Sequence, residues 1–227
     1  MRRSTAALAA VATCLLTAGC VSTGNAETTS PGRTLIPRPL VERELSSLLL
    51  TPEKIDAAMG TVGMTATESR DTMTDSSAIM APPECLPIDG AAEAAVYADS
   101  GFWATRDQSL NNGDGFTHYL KQAVVLFGTP ESAGAFFDAS AERWTLCQEY
   151  THTQSGSQWT VGQVSNAKPT LSAISTMKDA SAPGWACGRA LTVENNVVVD
   201  VNTCSADPAD SAPTIARLIA DDVRSRW

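Results

Sequence analysis

The groups in this 227-residue chain that could do chemistry are few: six cysteines, two histidines and 25 acidic side chains. The cysteines stand at 14, 20, 85, 147, 187 and 204, with no Cys-x-x-Cys pair among them, so no zinc site is expected. Gly-x-Ser-x-Gly, the phosphate-binding P-loop, the Gly-rich dinucleotide turn and His-Glu-x-x-His are all absent. His118 begins a strand-forming run and His152 sits in the polar stretch Thr151-His-Thr-Gln-Ser-Gly156; both read as solvated or sheet-surface side chains rather than general bases. Asn112 and Asp114 lack the bidentate Glu of a calcium loop and read as a turn. No catalytic residue, metal ligand or cofactor is assigned, and a hydrolase ranks well behind a binding protein.

The thiols instead point to structural bridges, through the stretch Trp185 to Cys204. Two β-favouring runs, Ala190 to Val193 and Val197 to Val201, flank Asn195-Asn196, and Asn tolerates the positive φ that a two-residue mirror turn demands. With these two as the loop, Glu194 faces Val197, Val193 faces Val198, and Cys187 faces Cys204. Counting from a hydrogen-bonded first pair puts the cysteines at a non-bonded site, where Cα atoms lie about 4.5 Å apart, within disulfide range. Cys14 leaves with a signal peptide and Cys20 is committed elsewhere (below), so Cys85 and Cys147 form the second bridge.

The same hairpin supplies a candidate binding face. Val197, Val199 and Val201 point one way with Ala190 and Thr192 and form core. Arg189, Asp200 and Asn202 point the other way, Arg189 diagonal to Asp200, and are assigned to a polar cleft; the alternative is a surface ion pair worth under about 1 kcal/mol. Trp103 and Tyr119, with Trp159 and Trp185, are candidate cleft walls.

Elements must carry these residues to their places. Met1-Arg-Arg and the apolar Ala6 to Thr17 form an export signal, too short to span a bilayer, which takes about 20 residues. Leu16-Thr-Ala-Gly-Cys20 resembles a bacterial lipobox in which Cys20 becomes the lipidated first residue of the mature chain, although Thr17 holds the position usual for a large aliphatic. Ordinary signal-peptidase cleavage and free secretion is the alternative. Residues 1–19 are thus read as signal, 20–36 as lipidated Cys and flexible tether rich in Ser, Thr and Gly, and 37–227 as one domain. The mature chain carries 14 basic against 25 acidic residues, a charge of −11 that opposes nucleic-acid binding. Its expected place is the outer face of the cytoplasmic membrane, held by the Cys20 lipid alone.

Within the domain, Leu40 to Leu50 and Pro52 to Met59 read as helices, as do Ala91 to Ser100, Pro130 to about Cys147, and the stretch after Ser211-Ala-Pro213. Strands are expected at Met64 to Arg70, Phe102 to Gln108, His118 to Phe127, Gln158 to Val164 and Leu171 to Met177, besides the cysteine hairpin. About seven strands and about five helices without strand–helix alternation predict an α+β fold on an antiparallel sheet.

The ordered set Leu48-Leu-Leu-Thr-Pro-Glu-Lys-Ile-Asp-Ala-Ala-Met-Gly60, Pro82-Pro-Glu-Cys85, Tyr97-x3-Gly101, Gln122-Ala-Val-Val-Leu-Phe127, Phe136-Phe137 to Trp144-x2-Cys147 and a closing cysteine hairpin resembles the PknH-like extracellular sensor domain of mycobacterial serine/threonine kinases, from Val41 to Trp227. The resemblance implies a twisted antiparallel sheet with flanking helices, two disulfides, a large cleft for a ligand and no catalysis. The expected partner is an unknown small molecule or an envelope protein, met by a monomer. Radiolabelled palmitate fed to the producing cell should label the protein, and Cys20→Ser should abolish the label; label persisting in the variant rules out this anchor.

Overall fold

The computed structural model describes residues 37–226. The expected signal, Cys20 and the expected tether lie outside the described residues, among which no helix is long and apolar enough to cross a membrane. A 3₁₀ turn at Glu42–Leu48 and helix α1 at Pro52–Met59 lead to strand β1 at Thr65–Arg70. A second 3₁₀ turn, Ser77–Ile79, precedes β2 (Met80–Ala81), and a third, Pro83–Cys85, runs into the one-turn helices α2 (Leu86–Asp89) and α3 (Ala94–Tyr97). Next come β3 (Phe102–Asn111), β4 (Tyr119–Phe127), α4 (Pro130–Trp144), β5 (Glu149–His152), β6 (Gln158–Val161), β7 (Ser165–Ala167) and β8 (Thr170–Met177). The hairpin β9 (Ala186–Glu194) and β10 (Val197–Ser205) and helix α5 (Ser211–Arg224) complete the chain.

The fold is α+β, on one sheet of ten strands ordered β1-β3-β4-β10-β9-β8-β6-β5-β2, with β7 paired to β8. Three strands exceed the seven expected: β2, β5 and β7 are two to four residues long and too short to show a period of two. Leu40 to Leu50 is also not an α-helix. It winds as a 3₁₀ turn whose buried Leu45 and Leu48 are three residues apart, the repeat of that tighter helix. Ala91 to Ser100 keeps only the single turn of α3.

The cysteine hairpin has the register read from its letters: Val197 pairs with Glu194 and Cys204 with Cys187. Cys187 and Cys204 are bonded with Cα atoms 4.1 Å apart, and Cys85 is bonded to Cys147 with Cα atoms 5.0 Å apart. The turn itself differs from expectation, since of its two residues Asn195 alone has a positive φ, of 53°. Asn196 is buried, its amide donating to Leu40 O and Phe127 O and accepting from Leu40 N, and these bonds set its backbone.

Both faces of the sheet are covered. On one, Ile215, Ile219 and Val223 of α5 pack with Val197, Val199 and Val201. On the other, Phe136, Phe137 and Trp144 of α4 pack with Val125, Phe127, Leu191 and Val198. This second face is apolar for only half its length. Towards the Cys204 end the same strands present Asp107, Ser109, Tyr119, Lys121, Arg189, Asp200 and Asn202, paired or near-paired across the ladders. Where the two halves meet, the α2–α3 segment lies on the sheet and is pinned by an ion pair.

Arg189 Nη1 donates to Asp200 Oδ1 at 2.5 Å and to Val201 O at 2.8 Å, and Nη2 donates to Pro87 O at 3.0 Å and Gly90 O at 2.8 Å. Asp200 Oδ2 accepts from Ala92 N at 2.9 Å and the Tyr97 hydroxyl at 3.0 Å. Both side chains are 2% exposed, and the guanidinium lies 5.1 Å from the Trp144 ring. Ala92 takes a φ of 52° in delivering its N–H, an uncommon conformation for alanine. Removing one partner leaves a buried charge uncompensated, so Arg189→Met and Asp200→Asn should each cost about 3–5 kcal/mol in urea unfolding. A loss below about 1 kcal/mol would mean that the pair does not hold this segment.

Candidate functional cleft

The polar half of the face is roofed only in part, leaving a cavity of about 460 Å³. Its floor is the end of four neighbouring strands: Ser109 of β3, Tyr119 and Lys121 of β4, Asn202 and Cys204 of β10, and Cys187 of β9. One wall is the chain crossing above them, Thr74, Ser76 and Asp89 to Glu93; the other carries Phe116, Trp159, Trp185 and His152. The Cys187–Cys204 bridge therefore faces the cleft and fixes two strands of its floor.

Most of the charge in the cleft is paired. Lys121 Nζ donates to Thr74 Oγ1 at 2.8 Å and lies 3.8 Å from an oxygen of Asp107, whose carboxylate has no hydrogen-bond partner. Burial pushes the Asp107 carboxyl above its usual pKa, and Lys121 pulls it back. Glu93 accepts from Ser76 N at 2.8 Å, Ser76 Oγ at 3.1 Å and Thr74 Oγ1 at 3.3 Å, and burial raises its carboxyl as well. A Cβ at Gly90 would stand 2.7 Å from Glu93 Oε1, so glycine is what lets the carboxylate settle there. His152 Nε2 meets Asp89 Oδ1 at 2.8 Å, and that bond raises the imidazole pKa against the opposing effect of burial.

Of the residues assigned from sequence, Tyr119 and Asn202 line the cavity, Asn202 donating to Asp89 O at 3.2 Å, as do Trp159 and Trp185. Arg189 and Asp200 do not line it. They are neither cleft residues nor a surface pair, because the α2–α3 segment covers them and bonds to both, while Arg189 Nε is buried without a partner. Trp103 is also elsewhere: it sits at a bulge in β3, 73% exposed, its ring lying against Gly128. His152 is half-buried in the cleft wall rather than solvated in a loop. Glu93, Lys121, Asp107, Asp89 and Phe116 were not singled out from sequence. A signal existed for Lys121, a lone charge inside the otherwise uncharged strand Tyr119 to Phe127, and for Glu93, a lone acid inside Ala91-Ala-Glu-Ala-Ala95.

His152 also meets the Ser157 hydroxyl through Nδ1 at 3.3 Å, and the described residues contain no cluster of three His, Cys, Asp or Glu side chains placed to hold a metal. What the arrangement offers is a concave surface of aromatic rings, hydroxyls and carboxylates.

A raised folded-state pKa for His152 means that the Asp89 pair contributes fully below the unfolded value of about 6.5 and fades as pH rises through the higher folded value. The melting-temperature difference between the wild type and His152→Asn should therefore be largest near pH ~5.5 and shrink towards pH ~8. A difference that is flat or grows with pH contradicts this assignment.

Comparison with known proteins places these features in context. The family model described as the PknH-like extracellular domain matches residues 40–222. Serine/threonine-protein kinase PknH of Mycobacterium bovis is 36% identical over 192 residues, 82% of this chain and 32% of the kinase. PknH of Mycobacterium tuberculosis is 36% identical over 192 residues, 82% of this chain and 30% of the kinase. The chain thus spans about a third of the length of the curated kinases it matches. The crystal structure of the extracellular domain of PknH from Mycobacterium tuberculosis aligns with a TM-score of 0.78 at 34% identity, covering 83% of this chain and 99% of that one.

Proposed function

This chain belongs to the PknH-like extracellular domain family, and we propose that it is a non-catalytic binding module which captures a small ligand in the cleft between its sheet and the α2–α3 segment. The observation that carries this reading is the cavity of about 460 Å³, within the usual range of ligand pockets, with polar groups converging from Thr74, Ser76, Glu93, Lys121 and Asn202. The cleft is built on central strands and tied by a disulfide and a buried ion pair, which suits a preformed site. In this reading the protein works outside the cytoplasmic membrane, held there through a lipid on Cys20, and its relation to kinase sensor domains lies in what is bound rather than in phosphoryl transfer.

Native mass spectrometry of the protein purified from its own envelope tests the reading. A reproducible small-molecule adduct, lost on denaturation and reduced by Trp185→Ala, is expected. A co-purifying polypeptide in place of an adduct would instead make this an interaction module that competes with or assists a kinase sensor, and would overturn the small-ligand reading.

A further inference from the structure

Five carboxylates lie in or beneath the cleft, and four of them have a cation at hand. Glu68 meets Arg70 at 2.9 Å, Asp89 meets His152 at 2.8 Å, Asp107 faces Lys121 at 3.8 Å, and Asp200 holds Arg189 at 2.5 Å. Glu93, 5% exposed, has only the neutral donors of Ser76 and Thr74. Lys121 stops one hydroxyl short of it, on Thr74. An ionised carboxylate has about four acceptor sites, and three are filled here. Lys121 acts on Glu93 through charge but without contact, so a cation in direct contact is the feature a ligand can supply to greatest effect.

The opposite side of the cavity fits the same ligand. Phe116 is 43% exposed, its ring centroid 6.3 Å from Tyr119 and 6.2 Å from Trp185, tilted by 41° and 57°. The three rings thus stand close together on this side of the cavity, and aromatic faces attract cations. Lys121 on the floor is held by Thr74 with Asp107 3.8 Å away, and Arg189 is covered by the α2–α3 segment, so neither stands open to an anionic ligand. The whole chain, at a formal charge of −9, draws positive solutes towards it.

We propose, resting on the cleft-binding reading above, that the cleft selects a small organic cation whose ammonium group sits against Glu93 while its carbon skeleton lies along Phe116, Tyr119 and Trp185. Selectivity comes from Glu93 for the charge and from the rings for the hydrocarbon.

The test is calorimetric titration of the purified full-length protein with choline and with 1,5-diaminopentane, against inositol and citrate as neutral and anionic comparisons. Expected is saturable one-site binding of at least one cation and neither comparison compound, weakened ~10-fold or more by Glu93→Gln and about 2- to 5-fold by Phe116→Ala. Phe116 is exposed enough for its variant to fold, and melting curves check the Glu93 variant. Cation binding untouched by either substitution overturns the site. Absence of cation binding overturns the ligand class: where the native adduct persists in the wild type and is lost in Phe116→Ala, the cleft reading stands without it, and where no adduct exists either, both fall.

Discussion

The contact on which most else depends is the buried pair of Arg189 and Asp200. Helices of four residues, such as α2 and α3, cannot hold themselves, because a single turn fixes several dihedrals for very few hydrogen bonds. They persist here because Pro87, Gly90, Ala92 and Tyr97 are all bonded to the pair. Two further ties act on the same segment. Tyr97 stacks on Phe136 of α4 with centroids 4.3 Å apart, and Cys85 just before α2 is bonded to Cys147 just after α4. The segment is therefore joined to the sheet by charge and to the helix by ring contact and sulfur.

This joining creates the cleft rather than merely stabilising it. The face of β3, β4, β10 and β9 is apolar where α4 covers it and polar beyond, and the α2–α3 segment marks the boundary. The segment stops short of Lys121 and Asn202, which line the cavity, and covers Arg189 and Asp200, which do not. Glu93 owes its burial to the same placement, and the Thr74–Ser76 stretch is drawn over the cavity by its bonds to Glu93 and by the Lys121 ammonium.

Features encoded by neighbouring residues could be read from the chain directly. The hairpin register followed from the Asn-Asn loop and a period of two, and with it the Cys187–Cys204 bridge. The start of α4 followed from Thr129-Pro130, where Thr129 Oγ1 accepts from Ser132 N. The nearness of Arg189 to Asp200 was also legible, since it depends only on strand pairing. Their burial was not, because the groups that cover them lie about 100 positions away in sequence and in an irregular segment. Trp103 was offered as a wall for its aromatic ring alone, and the bulge at its position in β3, which no letter marks, carries it elsewhere. Glu93 resembles any acidic residue on a helix surface until the fold turns it inward.

The hairpin tip has a mechanical consequence. Asn195 donates to Arg38 O at 2.8 Å and Asn196 exchanges bonds with Leu40, so the first described residues are clasped by the loop between β9 and β10. The cleft floor lies at the other end of those strands, seven residue steps away along β10, or about 23 Å. A pull on residue 37 would therefore be met first at the tip of the central hairpin. The cleft thus lies at the end of the hairpin remote from the clasp that fastens the start of the domain.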